Sequence, residues 1–181
     1  MEDLSLHILD IAENSIAAGA KNIEIKILED TKNDKLTIEI KDDGKGMTQE
    51  EINKATDPFF TSRTTRRVGL GLSLFKQAAE SANGKMAIAS EIGKGTCVTA
   101  SFQLSHFDRQ PLGNMAETII MLMTTNADIE IIYEYRKDDK SFIFDTKEVK
   151  KSIKEVQFKS ATVLSFVKKY IEENIEILKI N

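Results

Sequence analysis

Two alternating segments constrain this chain most. In "NIEIKILE", residues 22–29, Ile23, Ile25 and Ile27 fall on one side. In "KLTIEIK", residues 35–41, Leu36, Ile38 and Ile40 do the same, because side chains along a strand alternate. The polar "DTKND" between them is a turn. Together they predict an antiparallel hairpin with one apolar and one solvated face. That apolar face needs a second layer. Residues 2–18 predict a helix that can supply it, with Leu4, Ile8, Leu9, Ile11, Ala12, Ser15 and Ile16 at helical spacing and Gly19 as its stop. "LGLSLFKQAAESAN" predicts another, ended by Gly84. A short helix near 48–56 starts after Thr48, with Glu51 as a capping-box partner. "KMAIASE" and "CVTASFQL" add two strands joined at "IGKGT". The order α-β-β-α-α-β-β predicts an α/β fold, an α+β two-layer sandwich with helices on one face of a mixed sheet.

Past Ser105 the pattern changes. "HFDRQPLGN" carries Pro111 and Gly113 and is a connector. A helix near 114–125 follows, then strands "DIEIIYEYR" and "SFIFD" turned at "KDDK", then helices near 147–155 and 160–178. The expected organisation is a domain over 1–104 and a small α+β C-terminal extension over 105–181. Met115, Met121 and Met123 with Ile119, Ile120 and Leu122 are expected to pack a small core.

Charge and composition exclude several classes. Twenty-nine acids against 25 bases give a net charge of -4, which suits neither nucleic acid nor an anionic membrane surface. No apolar run approaches the roughly 20 residues that span a bilayer. The start, "MEDLSLH", lacks the basic region of a signal peptide. Cys97 is the single cysteine, and His7 and His106 lie far apart. Neither an intrachain disulfide nor a Cys- or His-rich metal site is available. A reducing cytoplasm is the expected compartment.

Five segments could carry chemistry. Asp42 shares the parity of Leu36, Ile38 and Ile40 and so points toward the core. A buried carboxylate needs donors. Gly44 and Gly46 follow it and let something flat come close, so a bound base with an exocyclic amine would suit it. An ordinary Asp-Gly turn is the alternative for "DDG" alone. Thr96 shares inward parity with Val98, Ala100 and Phe102, which puts a hydroxyl near that acid, directly or through water. Gly69, Leu70 and Gly71 open a helix, where free N–H groups favour phosphate. Asp10 and Asn14 lie four apart on one helix face, with His7 on the same polar stripe. An Asn oxygen can ligate Mg²⁺, and Asp10 could orient or deprotonate an attacking water or hydroxyl. Arg63, Arg66 and Arg67 in "TSRTTRR" could close over a triphosphate as a lid. A solvated polar surface is the alternative for the last two segments.

In this order the segments resemble the GHKL family of ATP-binding domains: gyrase, heat-shock-90 chaperones, histidine kinases and MutL-type mismatch-repair ATPases. "DIAENSIAAGA" resembles its N-box, and "DDGKGM", "GLGLSL" and "GKGT" its three glycine boxes. The resemblance covers about residues 4–104 and implies a Bergerat-type ATP-binding fold with ATP and Mg²⁺ as cofactors. By position, Asn14 resembles the magnesium ligand, Asp42 the adenine-binding acid and Thr96 its helper. Gly44, Gly46, Gly69, Gly71 and Gly95 resemble the glycine-box residues. "PFFTSR" resembles the start of the lid. One position departs: hydrolysing members carry a glutamate where this chain has Asp10. Histidine kinases carry their phosphoacceptor histidine in a separate helical domain, and neither His7 nor His106 sits in such a helix. The expectation is a stand-alone kinase-like ATP-binding domain that acts on or regulates a partner protein, with 105–181 as the partner-binding region. Two alternatives stay open. One is a MutL- or chaperone-type ATPase switch that homodimerises on ATP. The other is a nucleotide sensor without turnover, whose "IIYEYR" and "SFIFD" offer a sheet edge to a partner.

Overall fold

The computed structural model describes residues 3–56, 70–126, 128–152 and 160–180. The predicted hairpin is its centre. β1 (Asn22–Asp30) pairs antiparallel with β2 (Lys35–Asp42), with Ile25 opposite Ile40 and Ile27 opposite Ile38. All six alternating apolar residues of this hairpin are at most 1% exposed, each worth about 1.5–3 kcal/mol of burial. α1 (Leu4–Ala17) precedes the hairpin, and α2 (Gln49–Thr56) and α3 (Leu70–Ser81) follow it. β3 (Lys85–Glu91) and β4 (Gly95–Gln103) form a second hairpin, and β4 joins β2 antiparallel. The capping box of α2 forms as expected: Thr48 N–H donates to Glu51 Oε2 at 2.8 Å, and Glu51 N–H donates to Thr48 Oγ1 at 3.2 Å.

The C-terminal part comprises α4 (Met115–Thr125), β5 (Glu130–Lys137), β6 (Lys140–Asp145), α5 (Thr146–Ser152) and α6 (Ala161–Ile180). Its strands continue the same sheet. The order is β3-β4-β2-β1-β5-β6, and β5 runs parallel to β1 with Ile23, Ile25 and Ile27 opposite Ile131, Tyr133 and Tyr135. The fold is a mixed six-stranded sheet with helices packed on one face. Met115, Ile119, Leu122 and Met123 do not pack a core of their own; they share one cluster with Ile8 and Ile25. Sequence spacing could not show this, because a parallel β1–β5 pair joins strands about a hundred residues apart. Beyond α3, the residue with positive φ is Asn83 (φ 53) rather than Gly84. Gly84 is required for another reason: a Cβ there would lie 1.7 Å from the Ser101 carbonyl oxygen.

Candidate functional site

β2 ends with Asp42 turned to the apolar side, 8% exposed, as strand parity predicts. Its carboxylate is held by three donors. Gly44 N–H reaches Oδ1 at 2.8 Å and Thr96 N–H reaches it at 3.2 Å. The Ser15 hydroxyl donates to Oδ2 at 2.6 Å. Thr96 lies opposite Asp42 in the β2–β4 register, so proximity is as expected, but the atoms differ. Its N–H serves the carboxylate, while its hydroxyl meets Ser90 Oγ at 2.9 Å. Ser90 also accepts from Met47 N–H at 2.8 Å and donates to the Gly95 carbonyl at 2.9 Å. Ser15 and Ser90 escaped the sequence reading. Ser15 was legible only as a hydroxyl on the apolar face of α1, and nothing local marked Ser90. The adjacent Asp43 is structural: Lys21 N–H, Asn22 N–H and the Asn22 side-chain amide donate to it. Burial pushes its carboxyl pKa up, but the Asn22 and Lys21 donors outweigh this and hold it below the ordinary value.

Two of the glycines are required by the packing of the chain itself. Gly46 has φ +71, and a Cβ there would lie 2.0 Å from the Glu91 carbonyl oxygen. Gly95 has φ +93, and its Cβ would lie 2.0 Å from the Asp42 carbonyl oxygen. What comes close at these two positions is therefore the backbone of the β3–β4 hairpin, against the loop after β2. Gly44 alone lies against the site acid: a Cβ would stand 3.0 Å from Asp42 Oδ1.

On the same helix, Asp10 and Asn14 share one half-buried stretch of α1. A Cβ on Gly71 would lie 1.6 Å from Asp10 Oδ2. The second residue of α3 is thus seated directly on this carboxylate. The Asn14 side chain makes no hydrogen bond among the described residues. Leu70 begins α3, and Arg63 and Gly69, with the whole arginine-rich segment, lie outside the described residues. His7 does not join the polar stripe. It is 1% exposed, its ring centroid is 5.5 Å from that of Phe75, and its Nε2 pairs with Gln110 Oε1 at 3.1 Å. Its place between α1, α3 and the connector makes it a packing residue. Burial lowers its pKa, although the Gln110 bond works the other way.

α1 thus presents Ser15 to Asp42 near its C-terminal end and sets Asp10, from its middle, against Gly71 at the start of α3, with Asn14 one turn beyond Asp10. No group of three or more His, Cys, Asp or Glu side chains suited to a metal occurs among the described residues. A Mg²⁺ held by one Asn oxygen, phosphate and water needs none. A cleft of about 790 Å³ between the start of α4 and the outer half of α6, lined by Asn114, Met115, Glu172 and Glu176, shares no residue with this site. No described helix is long and apolar enough to cross a membrane.

Comparison with known proteins agrees with this geometry. The pattern of the histidine kinase-, DNA gyrase B- and HSP90-like ATPases matches residues 2–106. An NtrY-like sensor histidine kinase of Rickettsia conorii is 30% identical over 108 residues, covering 60% of this chain and 18% of the relative. Sensor histidine kinase YxdK of Bacillus subtilis is 32% identical over 90 residues, 48% of this chain and 27% of its own length. Sporulation kinase E of Bacillus subtilis is 36% identical over 92 residues, 49% of this chain and 12% of its own. The chain thus spans well under a third of each of these relatives. The crystal structure of the N-terminal domain of a DNA repair protein superposes with a TM-score of 0.55 at 19% identity, covering 79% of this chain and 52% of the other, and shares the fold. The match over residues 2–106 leads to one assignment: the chain belongs to the histidine kinase-, DNA gyrase B- and HSP90-like ATPase family, and carries its ATP-binding domain.

Proposed function

We propose that this chain binds ATP with Mg²⁺ and, as a kinase-like domain, acts on or regulates a separate protein. The observation that carries the reading is the one helix, α1, that meets the buried Asp42 carboxylate through Ser15 and sets Asp10 against Gly71, with Asn14 one turn beyond Asp10. Asp42 suits the exocyclic amine of adenine, since fixed donors hold its oxygens in place and leave acceptor capacity. Gly44 keeps side-chain bulk off that carboxylate. Asn14 offers a hard amide oxygen for Mg²⁺. When bound, that ion would offset phosphate charge. The N–H groups at the start of α3 favour phosphate. Asp10 would orient an attacking hydroxyl or accept its proton.

Two observations support a separate acceptor. His7 is buried and bonded to Gln110. His106 stacks on Phe107 at 5.2 Å and accepts from Asp108 N–H through Nδ1 at 3.2 Å. The kinase names among the relatives point the same way. We take 1–104 as the nucleotide-binding unit and 105–181 as the region that meets the partner. Hydrolysis is the second reading, favoured by the carboxylate of Asp10 at the mouth of α3. Incubation with Mg²⁺ and γ-labelled ATP, with and without cell extract, decides. Label transferred to another protein supports the kinase; rapid phosphate release that vanishes in Asp10→Asn supports the ATPase. If ATP is bound and neither occurs, both readings are overturned and a sensor remains.

A further inference from the structure

α6 is apolar on two faces. Val167, Ile171, Ile175 and Leu178 are buried against the core. A second stripe, Val163, Phe166, Tyr170, Ile177 and Ile180, runs beside it at alternating three- and four-residue spacing, with Glu173 in the one polar position. Phe166, Tyr170, Ile177 and Ile180 are 68%, 44%, 58% and 79% exposed. Scattered apolar residues on a surface need no explanation, but a heptad seam on a 20-residue helix is the pattern that pairs with another helix.

We propose that this seam pairs two copies of the chain through antiparallel α6 helices. The pattern is self-complementary in one register. About a two-fold axis between Ile171 and Glu172, Val163 of one copy meets Ile180 of the other, Phe166 meets Ile177, and Tyr170 meets Glu173. The only charge in the seam therefore faces a phenol, which can donate to its carboxylate. Glu173 also keeps an ion pair with Lys169 of its own helix at 3.6 Å. In the same register exposed Lys169 of one copy flanks exposed Glu176 of the other, so opposite charges line the seam on both sides of the axis. Parallel pairing would instead set Glu173 against Glu173. The four exposed side chains offer roughly 500 Å² per copy. Two copies hide about 1,000 Å² before their flanks are counted, which is the lower bound of a specific interface and suits a reversible dimer. The proposal stands apart from the nucleotide reading, since no α6 residue belongs to that site.

Sedimentation velocity on the full chain, over roughly 1–500 µM as an interface this small requires, tests it. A mass that climbs from monomer toward dimer is expected. The double variant Phe166→Lys/Ile177→Lys should stay monomeric with unchanged thermal unfolding and ATP binding, because both side chains are exposed. Lys169→Glu or Glu176→Lys alone should weaken the dimer about 3- to 10-fold through two symmetric pairs, and the two together should restore it. A wild-type chain that stays monomeric throughout, or a double-lysine variant that still dimerises, overturns the proposal. Failure of the charge swap to rescue overturns the antiparallel register.

Discussion

Gly71→Ala separates folding from chemistry at this site. An added Cβ would sit 1.6 Å from Asp10 Oδ2, 2.8 Å from its Cγ and 3.5 Å from its Cβ. Atoms in contact keep about 3.5 Å apart, so the carboxylate must swing away by roughly 2 Å. The obstacle is the tip of a side chain, and another rotamer can clear it. Stability therefore changes little. Alanine gains up to about 1 kcal/mol of helix propensity over glycine, and the disturbed carboxylate contacts cost about 1 kcal/mol. The melting temperature should stay within about 4 °C of the parent. A catalytic group displaced by even 1 Å can cost about 10²-fold, so phosphate release or transfer should fall by at least that factor. ATP binding through Asp42 should persist. Thermal unfolding, nucleotide titration and γ-label release on one preparation measure all three. Phosphoryl chemistry within 3-fold of the parent, in a folded variant, would refute the placement of Asp10 at the reacting end. Loss of about 3 kcal/mol or more of stability would make Gly71 a structural residue instead.

Three further outcomes follow from the same contacts. Gly95→Ala meets backbone rather than a side-chain tip, at φ +93 and 2.0 Å from the Asp42 carbonyl oxygen; denaturant titration should show a loss of about 2–4 kcal/mol. Asp42→Asn should weaken ATP about 10- to 100-fold while leaving GTP unchanged, and equal losses for both in paired titrations would argue against base recognition. His7 has a folded pKa below its ordinary 6.5, so the unfolded chain binds more protons there as the pH falls. Its contribution to stability is complete above pH 6.5 and is lost as the pH drops toward the folded value, by up to about 1.4 kcal/mol per pH unit. Melts between pH 7 and 5 should be flatter for His7→Gln than for the parent.

What the sequence disclosed was local and periodic. Parity alone turned Asp42 and Thr96 to the same side of neighbouring strands, and spacing alone set Asp10 beside Asn14. The α2 capping box was readable because its two partners are three residues apart. What stayed hidden depended on long-range packing. Ser15 looked like one more member of an apolar face, and only the approach of β2 beneath α1 made it the donor to Asp42. Gly46 and Gly95 are also required by the chain itself, since a Cβ at either would meet backbone, of Glu91 and of Asp42, that lies far off in sequence. His7 lay near the polar stripe by angle but on the buried side of the α1–α3 contact. Whether a polar residue at a stripe's margin meets solvent or a neighbouring helix is set by that helix, which periodicity does not contain.

The family match ends at residue 106, but the packing that serves the site does not. β1 has two strand neighbours only because β5 pairs with it; without β5 it would be an edge with unpaired backbone groups. α1, which carries Asp10, Asn14 and Ser15, is anchored at its start by Pro111 and Leu112 carbonyls that accept from Leu4 and Ser5 N–H at 2.9 and 2.8 Å. Those N–H groups belong to the first turn and have no partner within the helix. The connector leads straight into α4, and α4 is tied to α6 by Lys168 on Glu117 at 2.6 Å and by the Asn114 amide on Glu172 at 3.4 Å. α4 also reaches α1 directly, through the Thr118 hydroxyl on the Ser5 carbonyl at 3.4 Å, so a helix engaged at the α6 seam is two bonded steps from the helix that holds Asp10 and Asn14. Contiguity of this kind is not yet coupling. It becomes coupling if the 111–113 connector has two arrangements that nucleotide and partner favour unequally. Gly113, with φ +79 and a Cβ that would lie 2.5 Å from Asp3 Cγ and Ser5 Oγ, is where the connector route would be most sensitive to substitution, beside the direct Thr118–Ser5 bond.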